Sequence, residues 1–496
     1  MTEHVRSMEP TAAATVLQRA LKDPTKPMTV ADAQVVSGLS QRDTEAGLNW
    51  LTSEYRGHLR VTEEGDLVHL FPTGFTKPWE TRETLAKIGT SIGRGLLGAG
   101  RFLVRAWLLV VMVSYALLFV ALLVGLTFAR QSNDRDDHSP ALSIAGGLFR
   151  MIGDALFWTF HPFSPLYVGH GYGYGYGYGY RDEREWRDPR RRGRRDEQPD
   201  VPFYEKVNRF VFGPTKPPED PHAMRARILE SIRANKGRIG LADVMRVTGL
   251  PRHEADPLMA KLMLDHDGTV EVSEEGGIYY RFEGLRRTAG EAQAVMPPPA
   301  WATPPKLAPL TGNSGAANLG IALLNGFNLF ASGWVMANGL TIANIQLLFS
   351  RHPPLVLPND GLPLALGLVP FLFSLGLFVL PAVRAALRGR TEKKVAEENA
   401  RLAILREVLA RAPKGEPVTD ETLRTVYRVA TGHEPTSKEI TARVVDLGGD
   451  VDVGPEGEVR YRFADLEAEA EALEEERAQA SEAEARLGKV VFASDR

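Results

Sequence analysis

One eleven-residue pattern occurs three times in the chain, at Val61–Phe71, Val272–Phe282 and Val453–Phe463. Each copy starts with Val, holds a Glu-Gly pair, continues with an aliphatic residue and closes on Phe, always at the same offsets. The pairs are Glu64-Gly65, Glu275-Gly276 and Glu456-Gly457. Repetition at this spacing implies several copies of one supersecondary unit. β-Branched and aromatic residues flank a glycine that tolerates positive φ, so each copy predicts a β-hairpin turning at Glu-Gly.

Helical stretches precede each hairpin. Residues 31–71 align with 242–282 without a gap, through Val36-Ser37-Gly38-Leu39 and Val247-Thr248-Gly249-Leu250. The third copy is looser, with helical patterns at 404–410, 419–431 and 434–446. Helix, helix, Gly-containing turn, helix and hairpin is the order of a winged helix-turn-helix. Leu17, Val36, Leu39, Leu48 and Leu51 are expected to form the core of the first module.

Winged helices often bind DNA, which requires a cationic excess toward phosphates. Val16–Phe71 holds six Lys and Arg against eight acids, and the matching stretches of the other two copies are also slightly acidic. The helices that would read bases mix Arg42 with Asp43 and Glu45, and Arg252 with Glu254 and Asp256; the second also contains Pro257. DNA is therefore an unfavoured partner, and the modules are expected to dock proteins.

Trp107–Ala129, Ala316–Ser350 and Gly361–Val383 contain no charged residue, and each is long enough to span a bilayer. Ala141–Phe160 is apolar except for Arg150 and Asp154, so it reads either as a second crossing or as an interfacial helix. Basic residues precede the first span (Lys77 to Arg105) and follow the last (Arg384 to Lys394), which places both flanks in the cytoplasm by the positive-inside rule. The N-terminus is polar and has no cleavable signal pattern. The expectation is an inner-membrane protein in contact with lipid, its modules facing the cytoplasm. The middle stretch carries Asn318, Asn325 and Asn328 with Gly326 and Gly333, residue types that pack membrane helices closely and hydrogen-bond across them.

Between these segments lie a Gly-Tyr run at 171–180, an Arg-rich stretch at 181–195, and a Pro-rich segment, Met296 to Pro305, expected to be an extended spacer. The acidic tail places Leu466, Leu473, Ala480 and Leu487 at heptad spacing, which reads as a short coiled coil or as a solvated helix. There is no Cys, which excludes thiolate zinc sites, disulfides and Cys-ligated clusters. Walker A, dinucleotide-binding, His-Glu-x-x-His and Gly-x-Ser-x-Gly patterns are lacking, so no enzyme, cofactor or metal site is expected.

Phe210-Val211-Phe212-Gly213, the second module, and Gly284-Leu285-Arg286-Arg287-Thr288-Ala289 after it resemble a family of uncharacterised membrane proteins of cyanobacteria and plastids over about residues 150–390. The resemblance implies a winged-helix-sized module with later membrane spans and brings no catalytic residues. Some plant members carry a label linking them to iron–sulfur cluster assembly, for which this chain has no thiolate.

The expected fold is mainly α with small β-hairpins: three winged helix-turn-helix-like modules plus a helical transmembrane region. The expected boundaries are module 1 at 11–75, membrane region 1 at 84–165, a linker at 166–215, module 2 at 222–290, a Pro-rich linker at 291–312, membrane region 2 at 316–385, module 3 at 391–466 and the tail at 467–496. The expected role is scaffolding or self-assembly at a membrane through an unidentified protein partner or a second copy. A membrane-anchored transcription regulator and a transporter or channel subunit are the alternatives.

Overall fold

The computed structural model describes residues 7–76, 106–125, 201–214, 220–289, 295–341, 343–344, 363–453, 457–481 and 485–494. The 141–160 stretch, the Gly-Tyr run and Glu456 lie outside them. The described residues are mainly helical, with three small antiparallel sheets. They divide into two compact units, one comprising Met1–Arg82, Pro218–Lys306 and Glu392–Arg496, the other Glu83–Pro217 and Leu307–Thr391.

The first unit contains three bodies built in the same order. Module 1 runs helix Pro10–Ala20, β1 (Met28–Thr29), helices Val30–Ser37 and Gln41–Glu54, then β2 (His58–Thr62) and β3 (Leu67–Leu70). Module 2 runs helix Ala223–Ala234, β4 (Arg238–Ile239), helices Leu241–Thr248 and Arg252–His266, then β5 (Thr269–Val272) and β6 (Ile278–Arg281). Module 3 begins with the end of helix Val369–Arg411 and continues through β7 (Val418–Thr419), helices Asp420–Thr431 and Ser437–Asp446, β8 (Asp450–Val453) and β9 (Val459–Arg462). In each, the short first strand pairs with the last strand of the hairpin, and the registers coincide: Val61↔Leu67, Val272↔Ile278 and Val453↔Val459.

Local chemistry explains why the three agree. The second helix of each body stops at a left-handed glycine, Gly38 (φ 70), Gly249 (φ 74) or Gly432 (φ 79), where a Cβ would be strained. The hairpins turn at Gly65, Gly276 and Gly457, with φ of 85, 84 and 81. The closing Phe71, Phe282 and Phe463 are buried. Each ring lies over a second glycine, Gly57, Gly268 or Gly449, at which a Cβ would come under 3.0 Å from it. That glycine also repeats at matching positions, and it makes room for the ring.

Leu17, Leu39, Leu48, Leu51 and Phe71 form the core of module 1. Val36 does not join it and is 50% exposed. Helix Val30–Ser37 is packed from two sides, burying Ala31, Ala33, Gln34, Val35 and Ser37, so Val36 takes the outward position. Val35 belongs instead to a cluster that runs through modules 2 and 3, including Ile228, Val244, Met259, Leu405, Leu423 and Phe463. Trp301, in the Pro-rich segment, packs against the same cluster. Pro257 sits inside helix Arg252–His266 without ending it.

The tail departs most from expectation. Helix Ala464–Gln479 lies on module 2, with Leu473 and Ala472 against Tyr279, and neither pairs as a coiled coil nor stands in solvent. A strand of the tail, β10 (Val490–Ala493), then joins the sheet of module 1 beside β2, giving the order β1-β3-β2-β10.

In the second unit, helices Ala106–Gly125 and Gly315–Ala337 and the apolar start of the helix at Leu364–Lys414 are long and apolar enough to cross a membrane. They share a buried cluster with the short helix Phe203–Phe212, including Met112, Val113, Val207, Val211, Ile321 and Leu377.

Replacing Phe282 with Ala leaves a void above Gly268. Truncating a buried Phe costs about 3–5 kcal/mol. The expected outcome is a lower unfolding midpoint for the detergent-solubilised chain, and an unchanged midpoint would show that the ring does not hold the hairpin to its body.

Candidate interaction sites

The hairpin turns hold different surroundings. Glu64 is half exposed and lies 4.0 Å from Arg287, which makes its closer pair with Asp66 at 3.0 Å. Glu275 is exposed, and a Cβ on Gly65, Gly276 or Gly457 would meet nothing within 4 Å. The next residue of the second turn, Gly277, backs directly onto the Ala468 backbone of the tail helix. The turns of modules 1 and 2 therefore adjoin contacts made within the chain.

Modules 1 and 2 are joined by a polar network around Asp32. Its carboxylate completes a capping box at Thr29, accepts from Arg233 at 2.8 Å and accepts the Ala289 N–H at 3.0 Å. The Thr29 hydroxyl donates to the Arg287 carbonyl at 2.9 Å. Gly38 presses against the His222 carbonyl, a second reason for glycine at that cap.

Modules 2 and 3 are joined through the tail helix. Glu469 is buried, and its Oε1 accepts the Ala242 N–H at 2.9 Å, at the start of helix Leu241–Thr248. A helix N-terminus offers unpaired N–H groups and favours negative charge. Gly240 leaves the space that the carboxylate fills. Burial nevertheless dominates and pushes the Glu469 carboxyl up to about 7; nearby Asp243 adds to the rise, while the backbone bond and Arg252 oppose it. Arg238, only 4% exposed, pairs with Glu476 at 3.3 Å, and its carbonyl accepts from Arg477, which also pairs with Asp243. Arg286 donates to the Ser481 carbonyl at 2.7 Å.

None of these groups forms a nucleophile–base pair. Among the described residues no cluster of His, Asp and Glu has metal-holding geometry. His69 and His266 are core side chains, and burial lowers both to about 4, so they are neutral. Asp267, in the Asp-His-Asp-Gly run, is the left-handed cap of helix Arg252–His266.

In the second unit, Asn328 donates to the Met112 carbonyl at 2.7 Å and Asn325 to the Ser374 carbonyl at 2.9 Å, so the middle helix bonds to both others. Asn318 donates to Thr311 at 3.0 Å and accepts from Asn313, near the start of that helix. Gly333 faces Phe371, but a Cβ there would make only ordinary contact with the ring. Gly326 is not at a close approach: a Cβ there would meet nothing within 4 Å, because the contacting face is carried by Ile321, Leu324, Asn325 and Asn328. Sequence reasoning missed Arg384, read only as a flanking charge. Its guanidinium donates to the Val211 carbonyl at 2.8 Å and to Leu310, closing the end of helix Phe203–Phe212. Gly213 (φ 86) gives it room, which accounts for glycine at the end of the Phe-Val-Phe-Gly turn.

Comparison with known proteins adds one relative. The chain is 23% identical over 268 residues, 53% of its length, to an uncharacterised chloroplastic protein of Arabidopsis thaliana. The matched region spans about half of that relative, 47% of its length. No family model matches the chain. No solved structure matches it.

Two outcomes follow from these contacts. Because the folded Glu469 carboxyl is raised from 4.5 toward 7, its contribution to tail docking is complete below about pH 4.5 and is lost as pH rises through about 7. Proteolysis of the 480–489 connector should quicken from pH 5.5 to 8, and Glu469→Gln should flatten that dependence. Asn328→Leu removes a bond between two of the apolar helices, worth roughly 0.6–2 kcal/mol if they lie in a bilayer. It should lower the thermal midpoint of the detergent-solubilised chain, and a rise would contradict the pairing with Met112.

Proposed function

We propose that the chain is a polytopic membrane protein of a plastid and cyanobacterial type. It presents three repeated winged-helix modules for protein–protein interaction at the membrane, without catalysis. The order helix, strand, helix, helix, hairpin and the common strand register support the winged-helix reading of each body. Three apolar helices support the anchor. The basic residues flanking those helices favour a cytoplasmic side for the modules in an inner membrane.

The observation that carries the docking reading over DNA binding is the fate of the helix that would enter the groove. In module 2 that helix is Arg252–His266, and its leading Arg252 pairs with Asp465 at 2.6 Å and lies against Gly448 of module 3. Arg233 and Arg287 likewise engage Asp32 and Asp66. Cations held in intramolecular pairs do not release counterions from phosphate.

The expected result is recovery of a protein partner from native membranes by cross-linking, lost when the modules are truncated. The detergent-solubilised chain should retain no duplex DNA at low salt. Unchanged recovery after truncation, or salt-sensitive retention of DNA, would overturn the reading.

A further inference from the structure

Among the described residues, the sheet of module 1 has a fourth strand that the other two lack. β10 docks on the outer edge of β2, with Phe492 opposite Val61 and Ala493 opposite Arg60. Glu63 N–H donates to the Lys489 carbonyl at 2.8 Å, Ser494 N–H to the Leu59 carbonyl at 3.0 Å, and Leu59 N–H to the Ser494 hydroxyl at 2.8 Å. Leu59 thus turns both backbone polar groups toward the added strand.

Module 2 repeats this edge without the strand. Leu59 pairs with His69 across its hairpin, as Val270 pairs with Tyr280. Identical register turns the Val270 N–H and C=O outward, and β5 ends its sheet. Val270 and Val272 are 54% and 65% exposed, whereas the matching Leu59 and Val61 are only partly exposed. Glu274 stands at the position from which Glu63 donates its N–H in module 1. Module 3 differs in sequence at that point: Pro455 stands there and has no N–H to give. The β5 edge is also acidic, with Glu271, Glu274 and Glu275, while the tail strand itself is uncharged and is preceded by Lys489. Two such acidic edges would repel each other.

We propose that the outer edge of β5, Val270–Glu274, is a strand-docking site whose occupant is the Lys489–Ser494 strand of a second copy of this chain. The proposal rests on the interaction-module reading and names its partner. Strand addition supplies main-chain hydrogen bonds, and the side chains on alternate positions set fit. The tail strand is suited to exchange. Val490, Val491 and Phe492 stay 52%, 62% and 57% exposed on its own module, so backbone pairing holds it with little apolar burial.

The chain has no Cys, so an engineered disulfide reports one pair alone. Two differently tagged full-length copies are co-expressed in membranes, one with Val272→Cys and the other with Phe492→Cys, and oxidised. Both tags should shift to one dimer band on a non-reducing gel. Val453→Cys in place of Val272→Cys should give no shift, and Val270→Lys added to the Val272→Cys copy should remove it. Val61→Cys with Phe492→Cys in one copy reports the contact within the chain. Linking of that internal pair alone overturns the proposal. So does a dimer band that survives Val270→Lys, or cross-linking of β5 to a different protein. Those results leave the broader docking reading standing, because module truncation tests it separately.

Discussion

The arrangement of the three modules depends on a tail helix seated by the buried carboxyl group of Glu469. Glu469 enters the space left by Gly240 and meets the amide at the start of helix Leu241–Thr248. Around it, Arg238 pairs with Glu476 and Arg477 reaches Asp243. Once the helix is seated there, the chain continues past Arg286 and reaches the edge of module 1. One segment thereby touches all three bodies, and the joint between modules 1 and 2 at Asp32 completes the connection.

These joints are unusually polar for contacts that also bury an apolar cluster. Apolar packing is tolerant of sliding, because leucine and alanine meet similar surfaces one turn along a helix. A buried charge is not tolerant, since loss of its partner leaves an uncompensated ion in a poorly solvated place. Asp32 accepts from a side chain and two backbone N–H groups that belong to two modules. The ionic contacts therefore select one arrangement among several that hydrophobic burial alone would allow, while net stability comes mainly from the shared core.

Local features were legible in the sequence because their causes are local. The Glu-Gly turns, the aliphatic pair across each hairpin and the three charge-free stretches depend on residues within one segment. The glycines beneath Phe71, Phe282 and Phe463 carried a signal too, since Gly57, Gly268 and Gly449 repeat with the pattern, but their purpose appears only when the ring is seen above them. Contacts between distant segments were not legible. Leu466 and Leu473 have heptad spacing, and spacing cannot distinguish a partner helix from the flank of a folded module. Val35 and Val36 are equivalent as letters, and the body packed on the far side of a short helix decides which is buried. Gly326 was assigned to helix packing by residue type, and the phase of the helix turned it away from its neighbours.

The same reasoning bears on what three similar modules on one chain can do. If all three kept free reading helices and basic faces, they would form an array for a long polyanion. Instead, Arg233, Arg252 and Arg287 are engaged by acids of a neighbouring module or of the tail. The strand edges of modules 2 and 3 are among the surfaces that remain toward solvent, with Val270, Val272, Val451 and Val453 exposed. Exposed strand edges pair with other strands unless something blocks them. Carboxylates at Glu271, Asp450 and Asp452 discourage the pairing of one such edge with another. They do not discourage a neutral or basic strand, so the edge of module 2 stays open to a partner of different composition, while Pro455 withholds a backbone donor at the matching position of module 3.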